Sequence, residues 1–157
     1  RAAATGAALL AAALLAPAEA GAEMTAREGW AVYETEKDYA TLLADLKAAV
    51  SANDMIVVTE AGPTEAAARR GVEIPGDRVV GVFRNDYAVR TIRLSRAAMI
   101  EAPIRFHVME REDGTATLAY RTPSAVFAPY DDSGRALEAL AAELDAIFLA
   151  IAEDSMK

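Results

Sequence analysis

The sequence contains no cysteine and a single histidine, His107, among its 157 residues. Without cysteine the chain cannot form disulfides, thiolate metal sites or a thiol nucleophile, and it has no lipobox cysteine for a lipid anchor. A metal centre built on histidine would have only one imidazole, and a soft copper site made of His107 and Met109 would still lack ligands. We therefore predict no metal and no other cofactor, and interpret His107 and Met109 as structural or interface residues.

Basic residues are also scarce, since 16 Lys and Arg stand against 24 Asp and Glu, for a net charge of −8. Nucleic acids and anionic membranes are bound through Lys and Arg, so neither is a predicted partner. The chain has no P-loop, no dinucleotide-binding glycine motif and no G-x-S-x-G nucleophile motif. The commonest catalytic signatures are therefore missing.

Residues 1–20 have the features of a secretory signal peptide: a basic first residue, an Ala/Leu-rich run over 7–16 and an A-x-A sequence at 18–20. We expect cleavage after Ala20, with Ala22 as a second choice; the alternative is an ordinary alanine-rich helix. The apolar run is shorter than the roughly 20 residues of a membrane span. This predicts a periplasmic or secreted protein that is not inserted in the membrane after cleavage.

The remainder is predicted to be a linker at 21–29 and a single α+β domain at 30–157. Helical apolar stripes follow a capping residue, Asp38, and recur from about Arg135 to Glu153. The predicted order is β-α-β-(short helix)-β-β-β-α. Two main helices then cover one face of an antiparallel sheet of about five strands, and the other face stays open.

Three local predictions accompany this layout. Asn53 is expected in the left-handed conformation that ends the first helix. The apolar run Met55–Thr59 predicts a central strand covered on at least one face. Residues 87–101 are predicted to be a loop with a short helix near 95–100.

The stretch 102–123 is predicted to be a β-hairpin with a two-residue turn at Asp113-Gly114. Counting outward from that turn places His107 opposite Tyr120. The same count pairs Met109 with Leu118 and Val108 with Ala119. Alternation then puts Ile104, Phe106 and Val108 on the core, and it puts Arg105, His107, Met109, Arg111, Leu118 and Tyr120 on the open face.

Three segments resemble the family called domain of unknown function 302. They are residues 71–85, GVEIPGDRVVGVFRN; residues 102–114, APIRFHVMEREDG; and residues 118–123, LAYRTP. The resemblance covers about residues 30–152. It implies a β-α-β4-α fold, similar in layout to the TATA-box-binding-protein-like folds, that is often dimeric, and it implies no established activity. Where the family often has Asp-His and Asn-Pro pairs, this chain has Gly62-Pro63 and Asn85-Asp86.

Arginine is unevenly distributed. Between Arg78 and Arg121 there are eight arginines, five acids and no lysine, so this segment has a charge of about +3 within an acidic chain. Arginine suits bidentate binding of carboxylate or phosphate. The alternative is a solvated face, or pairing with acids of the last helix such as Glu138, Glu143 and Asp145. The predicted ligand-binding residues are Arg84, Arg90, Arg93, Arg105, His107 and Tyr120.

Two functions remain open at this point. The first is a non-catalytic module that binds a small anionic ligand or another protein, as a homodimer formed through the open face. The second is an enzyme acting on a small anionic substrate, in which His107 and Tyr120 transfer the proton and Arg105 or Arg84 holds the anion. Cross-strand aromatic packing accounts for the His107–Tyr120 pair without catalysis.

Overall fold

The computed structural model describes residues 24–157. The predicted signal peptide and the first residues of the linker lie outside the described residues. The elements in chain order are β1 Trp30–Asp38, α1 Tyr39–Ala52, β2 Ile56–Ala61, α2 Thr64–Ala68, β3 Asp77–Phe83, α3 Asn85–Leu94, a 3-10 turn at Ala98–Glu101, β4 Ile104–Glu110, β5 Thr115–Arg121, α4 Pro123–Phe127 and α5 Arg135–Ser155.

The five strands form one antiparallel sheet in the order β1-β5-β4-β3-β2. Helices α1 and α5 pack against each other, and α1 also contacts β4 and β5. The predicted α+β layout of about five strands with two main helices on one face is confirmed. The opposite side of the sheet, which we call the open face, is lined by the alternate residues of each strand.

The core lies between the sheet and the two long helices. The predicted stripe of α5 is buried, with Leu140 and Ile151 fully inaccessible, and Leu42, Leu46 and Val50 face it from α1. Their sheet partners Ile104, Phe106 and Val108 are buried as predicted. Asp38 caps α1, since its Oδ1 accepts a hydrogen bond from Thr41 N at 2.9 Å.

The predicted central strand is an edge strand. Strand β2 pairs only with β3, and Ile56 and Val58 are 60% and 47% exposed. A continuous apolar run is typical of a buried strand, but here only Met55, just before β2, is buried, and Val57 packs against the core as a partly buried residue. The left-handed residue after α1 is Asp54, with φ 56°, rather than Asn53.

Residues 87–101 contain more helix than predicted, because α3 occupies Asn85–Leu94 and only the 3-10 turn falls near the expected position. The hairpin also differs. Its loop has three residues, 112–114, closed by a hydrogen bond from Arg111 N to Thr115 O at 2.7 Å. Gly114 is left-handed with φ 82°, as in three-residue loops that end in a bulge.

The longer loop shifts the register of the hairpin by one residue. His107 pairs with Ala119, Val108 with Leu118 and Met109 with Thr117. The predicted pairings of His107 with Tyr120, Met109 with Leu118 and Val108 with Ala119 are therefore wrong. Because side chains alternate along a strand, Leu118 and Tyr120 move to the core face, where they are 0% and 3% exposed.

Candidate functional site

Two arginines lie side by side near one end of the open face. Arg121 pairs with Trp30 of β1, and Arg105 pairs with Gly81 of β3. The β4–β5 register, in which Phe106 pairs with Tyr120, sets Arg105 and Arg121 opposite each other when it is continued by one residue. Both arginines are exposed.

This arginine pair has no acidic partner. Across residues 24–157, no carboxylate lies within 4.0 Å of either guanidinium group. Arg121 Nη2 donates only to the carbonyl oxygen of Ala125, at 3.3 Å. Like charges directly opposite each other on a sheet are destabilising. An anion held between the two guanidinium groups would remove that repulsion.

A cavity of about 160 Å³ opens at the arginine pair. Its walls combine the two arginines with apolar side chains and one carboxylate. The lining residues are Trp30, Val79, Glu101, Ile104, Arg105, Phe106, His107, Ala119, Tyr120, Arg121 and Val126. Glu101 is already engaged, because its Oε1 accepts a hydrogen bond from Tyr130 Oη at 2.6 Å, and this bond raises the pKa of the Tyr130 hydroxyl.

His107, also in the cavity wall, is held by Asp77. Its Nε2 lies 3.0 Å from both carboxylate oxygens of Asp77, on the neighbouring strand β3. The antiparallel register explains the contact: Val79 pairs with His107, so Asp77 lies diagonally next to it on the same face. No protein group in the described chain bonds to His107 Nδ1, which leaves that nitrogen available to a ligand.

Tyr120 borders the cavity, but its side chain lies on the core face and not on the open face as predicted. Its ring packs into the core, 4.9 Å from the Phe106 ring centroid and 5.5 Å from that of Phe148. Burial first, and the nearby Tyr33 hydroxyl second, raise the pKa of the Tyr120 hydroxyl above its ordinary value. His107 points to the other face, so the predicted His107–Tyr120 proton-transfer pair is not formed.

The remaining predicted arginines lie elsewhere. Arg84 donates two hydrogen bonds to Asp86 and lies 4.4 Å above the Tyr87 ring. Arg93 is exposed on α3 and lines none of the cavity described above. Of the six predicted ligand-binding residues, only Arg105 and His107 are brought together on the open face.

Arg90 pairs with an acid of the last helix, which was the alternative to ligand binding for the arginines of this segment. Its guanidinium donates two hydrogen bonds of 2.7 Å to Glu143. This contact, helped by a hydrogen bond from Tyr87, lowers the pKa of Glu143 to about 2. Arg90 is thus committed to holding α3 on α5 rather than to a ligand.

Three residues of the site are not identified from the sequence. Arg121 lies beside Arg105 because of the β4–β5 register, Trp30 joins them because β1 pairs with β5, and Asp77 reaches His107 because β3 pairs with β4. These strand pairs join residues far apart in the chain. The arginine excess over residues 78–121 is the one signal that includes Arg121.

Within 24–157, no three side chains of His, Asp or Glu come together as a metal site would require. In the same range, no helix combines the length and the apolar character needed to cross a membrane.

Comparison with known proteins identifies a family and a fold. The family model "Domain of unknown function DUF302" matches residues 31–152. The structure titled "Crystal structure of uncharacterized conserved protein DUF302 from Bacillus stearothermophilus" superposes with a TM-score of 0.72, at 14% identity, over 83% of this chain and 100% of that one. At that identity the likeness shows the fold alone. A search of curated proteins found no significant match.

Proposed function

Because the chain belongs to the family Domain of unknown function DUF302, whose name assigns no activity, we propose its function from the site: the arginine pair binds a small anionic ligand without converting it. The observation that carries this proposal is the juxtaposition of Arg105 and Arg121 in the wall of a cavity, with no acidic partner among residues 24–157. Two arginines at facing positions of adjacent strands suit an oxyanion, which each guanidinium group can contact through parallel N–H donors.

The cellular location and the oligomeric state of the protein are part of the same proposal. The signal-peptide pattern at residues 1–20 supports export to the periplasm or secretion. There the module would capture its ligand as a homodimer formed through the open face. The net charge of −8 supports a local arginine site over a general basic surface, since most of the molecule repels anions.

The test uses the only tryptophan of the chain, Trp30, which lines the cavity and therefore reports on it by fluorescence. Small carboxylates and inorganic phosphate are titrated into the protein, and affinities are measured by calorimetry. Hydrogen bonds to charged groups contribute about 1.5–3 kcal/mol, so Arg105→Gln should weaken binding about tenfold or more. Arg121→Gln should do the same.

Arg93→Gln is the matched control, because it removes the same charge from an exposed position outside the cavity. It should leave the affinity within about twofold of the natural chain, since distant surface charges are screened. The proposal fails if no anion binds, or if Arg93→Gln weakens binding as much as Arg105→Gln does.

The second candidate function, an enzyme on a small anionic substrate, is favoured by one observation: Asp77 holds Nε2 of His107. An imidazole oriented by a carboxylate is a common general base, and here Nδ1 would take the proton. A bound compound followed by NMR decides between the two functions. Conversion that is lost in His107→Gln, while binding is kept, would establish the enzyme; recovery of the compound unchanged would establish the binding module.

A further inference from the structure

We propose that the anion bound by Arg105 and Arg121 is a single carboxylate carried on a compact apolar body about the size of a benzene ring. This inference rests on the proposed function and names the class of its ligand. Three properties of the cavity lead to it: its size, the distribution of its apolar wall and its formal charge.

The size of the cavity matches one ring. Its volume is about 160 Å³, and an engineered apolar protein cavity of roughly 150 Å³ binds benzene. A bare ion such as phosphate or acetate would leave much of this space unfilled. A ligand much larger than one ring would have to extend out of the cavity along the sheet.

The apolar wall adjoins the arginine pair. Trp30 of β1 pairs with Arg121 of β5 and so lies next to it in the sheet. Two residues along β4 from Arg105, His107 lies between its strand partners Val79 and Ala119. Val126 of α4 completes the wall. An anion whose carboxylate contacts the arginines therefore brings the rest of its body against the indole ring and the valines. Burying that body removes apolar surface from water and so favours binding, a contribution that a fully polar anion does not gain.

The formal charge of the lining favours one negative charge on the ligand. Arg105 and Arg121 contribute two positive charges, and Glu101 contributes one negative charge. Asp77 does not line the cavity, and its carboxylate contacts Nε2 of His107. A net charge of about +1 at the wall is balanced by a monocarboxylate, whereas a second carboxylate or a phosphate dianion would meet Glu101 as a like charge.

Four probes separate these properties by calorimetry on the natural chain. Benzoate has both the carboxylate and the ring, acetate has only the carboxylate, benzamide has only the ring with a neutral amide, and succinate is a dianion. We expect benzoate to bind at least about tenfold more tightly than acetate, benzamide or succinate, and tenfold corresponds to about 1.4 kcal/mol.

Three variants test the wall and the charge separately. Arg105→Gln should weaken benzoate and acetate alike. Val79→Thr, which keeps the shape but adds a hydroxyl, should weaken benzoate about threefold and leave acetate unchanged. Glu101→Gln should raise the affinity for succinate more than that for benzoate. Val89→Thr is the control for Val79, because Val89 is an exposed valine on α3, away from the cavity.

The outcomes distinguish this inference from the proposed function. Tighter binding of benzoate that depends on both Arg105 and Val79 supports both. If succinate or acetate binds through Arg105 as tightly as benzoate, the apolar monocarboxylate class is overturned while the anion-binding function stands. If no probe binds, or if benzoate binding is unaffected by Arg105→Gln, both are overturned.

Discussion

Arginine serves two purposes in this chain, and only the neighbours of each residue decide which. Arg84 and Arg90 are matched by nearby carboxylates, Asp86 and Glu143, and the second of these pairs joins α3 to α5. Arg105 has no such match in the part of the chain that the structure describes, and it lines the cavity. The amino-acid type and the local charge density are the same in both cases. The sequence therefore predicts an arginine-rich region, and three-dimensional contacts divide it into structural and ligand-facing residues.

The pair Arg90–Glu143 supplies a prediction that depends on pH. Because Arg90 lowers the pKa of Glu143 to about 2, the folded chain binds the proton of this carboxyl group less tightly than the unfolded chain does. The ionised form of Glu143 therefore stabilises the folded chain. The stabilisation from this pair is therefore complete above the ordinary pKa of glutamate and is lost as the pH falls toward about 2. Both side chains are nearly half exposed, so added salt should reduce the effect.

Carbon NMR titration of the Glu143 side chain measures this directly. We expect the Glu143 carboxyl group of the natural chain to titrate with a midpoint near pH 2. In Arg90→Gln we expect the midpoint to move up toward the ordinary glutamate value. Arg93→Gln, on the same helix, should leave the midpoint unchanged. A Glu143 that titrates normally in the natural chain would show that the ion pair is not formed in solution.

At the scale of elements, the hairpin shows how a single loop residue controls the composition of two faces. The Asp113-Gly114 dipeptide is part of the reversal, but Glu112 is also in the loop. That one extra residue takes Tyr120 away from His107 and puts Arg121 beside Arg105. Strand alternation was predicted correctly along β4, and the error concerns only the register between the strands.

The hairpin loop depends on Gly114, whose φ of 82° is in the left-handed region. An L side chain there costs roughly 1–2 kcal/mol, so Gly114→Ala should reduce the free energy of unfolding by about 1 kcal/mol in denaturant titrations. The neighbouring exposed residue provides the control: Glu112→Ala should change stability by less than about 0.5 kcal/mol. Equal effects at both positions would contradict the three-residue loop.

At the scale of the molecule, the helices cover one side of the sheet and the other side carries the site. The two long stripes, on α1 and α5, can be buried only by packing together on the same face, which leaves the arginine pair on the opposite one. This division of the two faces is what makes a small-ligand site compatible with a stable core. Neither Arg105 nor Arg121 has to be desolvated when the chain folds.

The proposed homodimer makes a prediction at this scale. Association of two open faces brings the arginine pairs of both copies together, so salt should promote the dimer by screening their repulsion. Light scattering at tens of micromolar protein should report a larger proportion of dimer at about 0.5 M salt than at low salt. Arg105→Gln should make the dimer less dependent on salt, with Arg93→Gln as the control. A monomer under every condition would exclude dimerisation through this face.

Local patterns in the sequence are enough to predict the α+β class, the capped first helix, the long last helix and the core face of β4, because each depends on a local period or on a capping residue. Tertiary structure decided that β2 is an edge strand, that Tyr120 belongs to the core, and that Trp30, Asp77 and Arg121 join Arg105 and His107. These assignments depend on which strands pair and in what register. Such pairings join residues up to about ninety positions apart, and no local pattern of side chains encodes them.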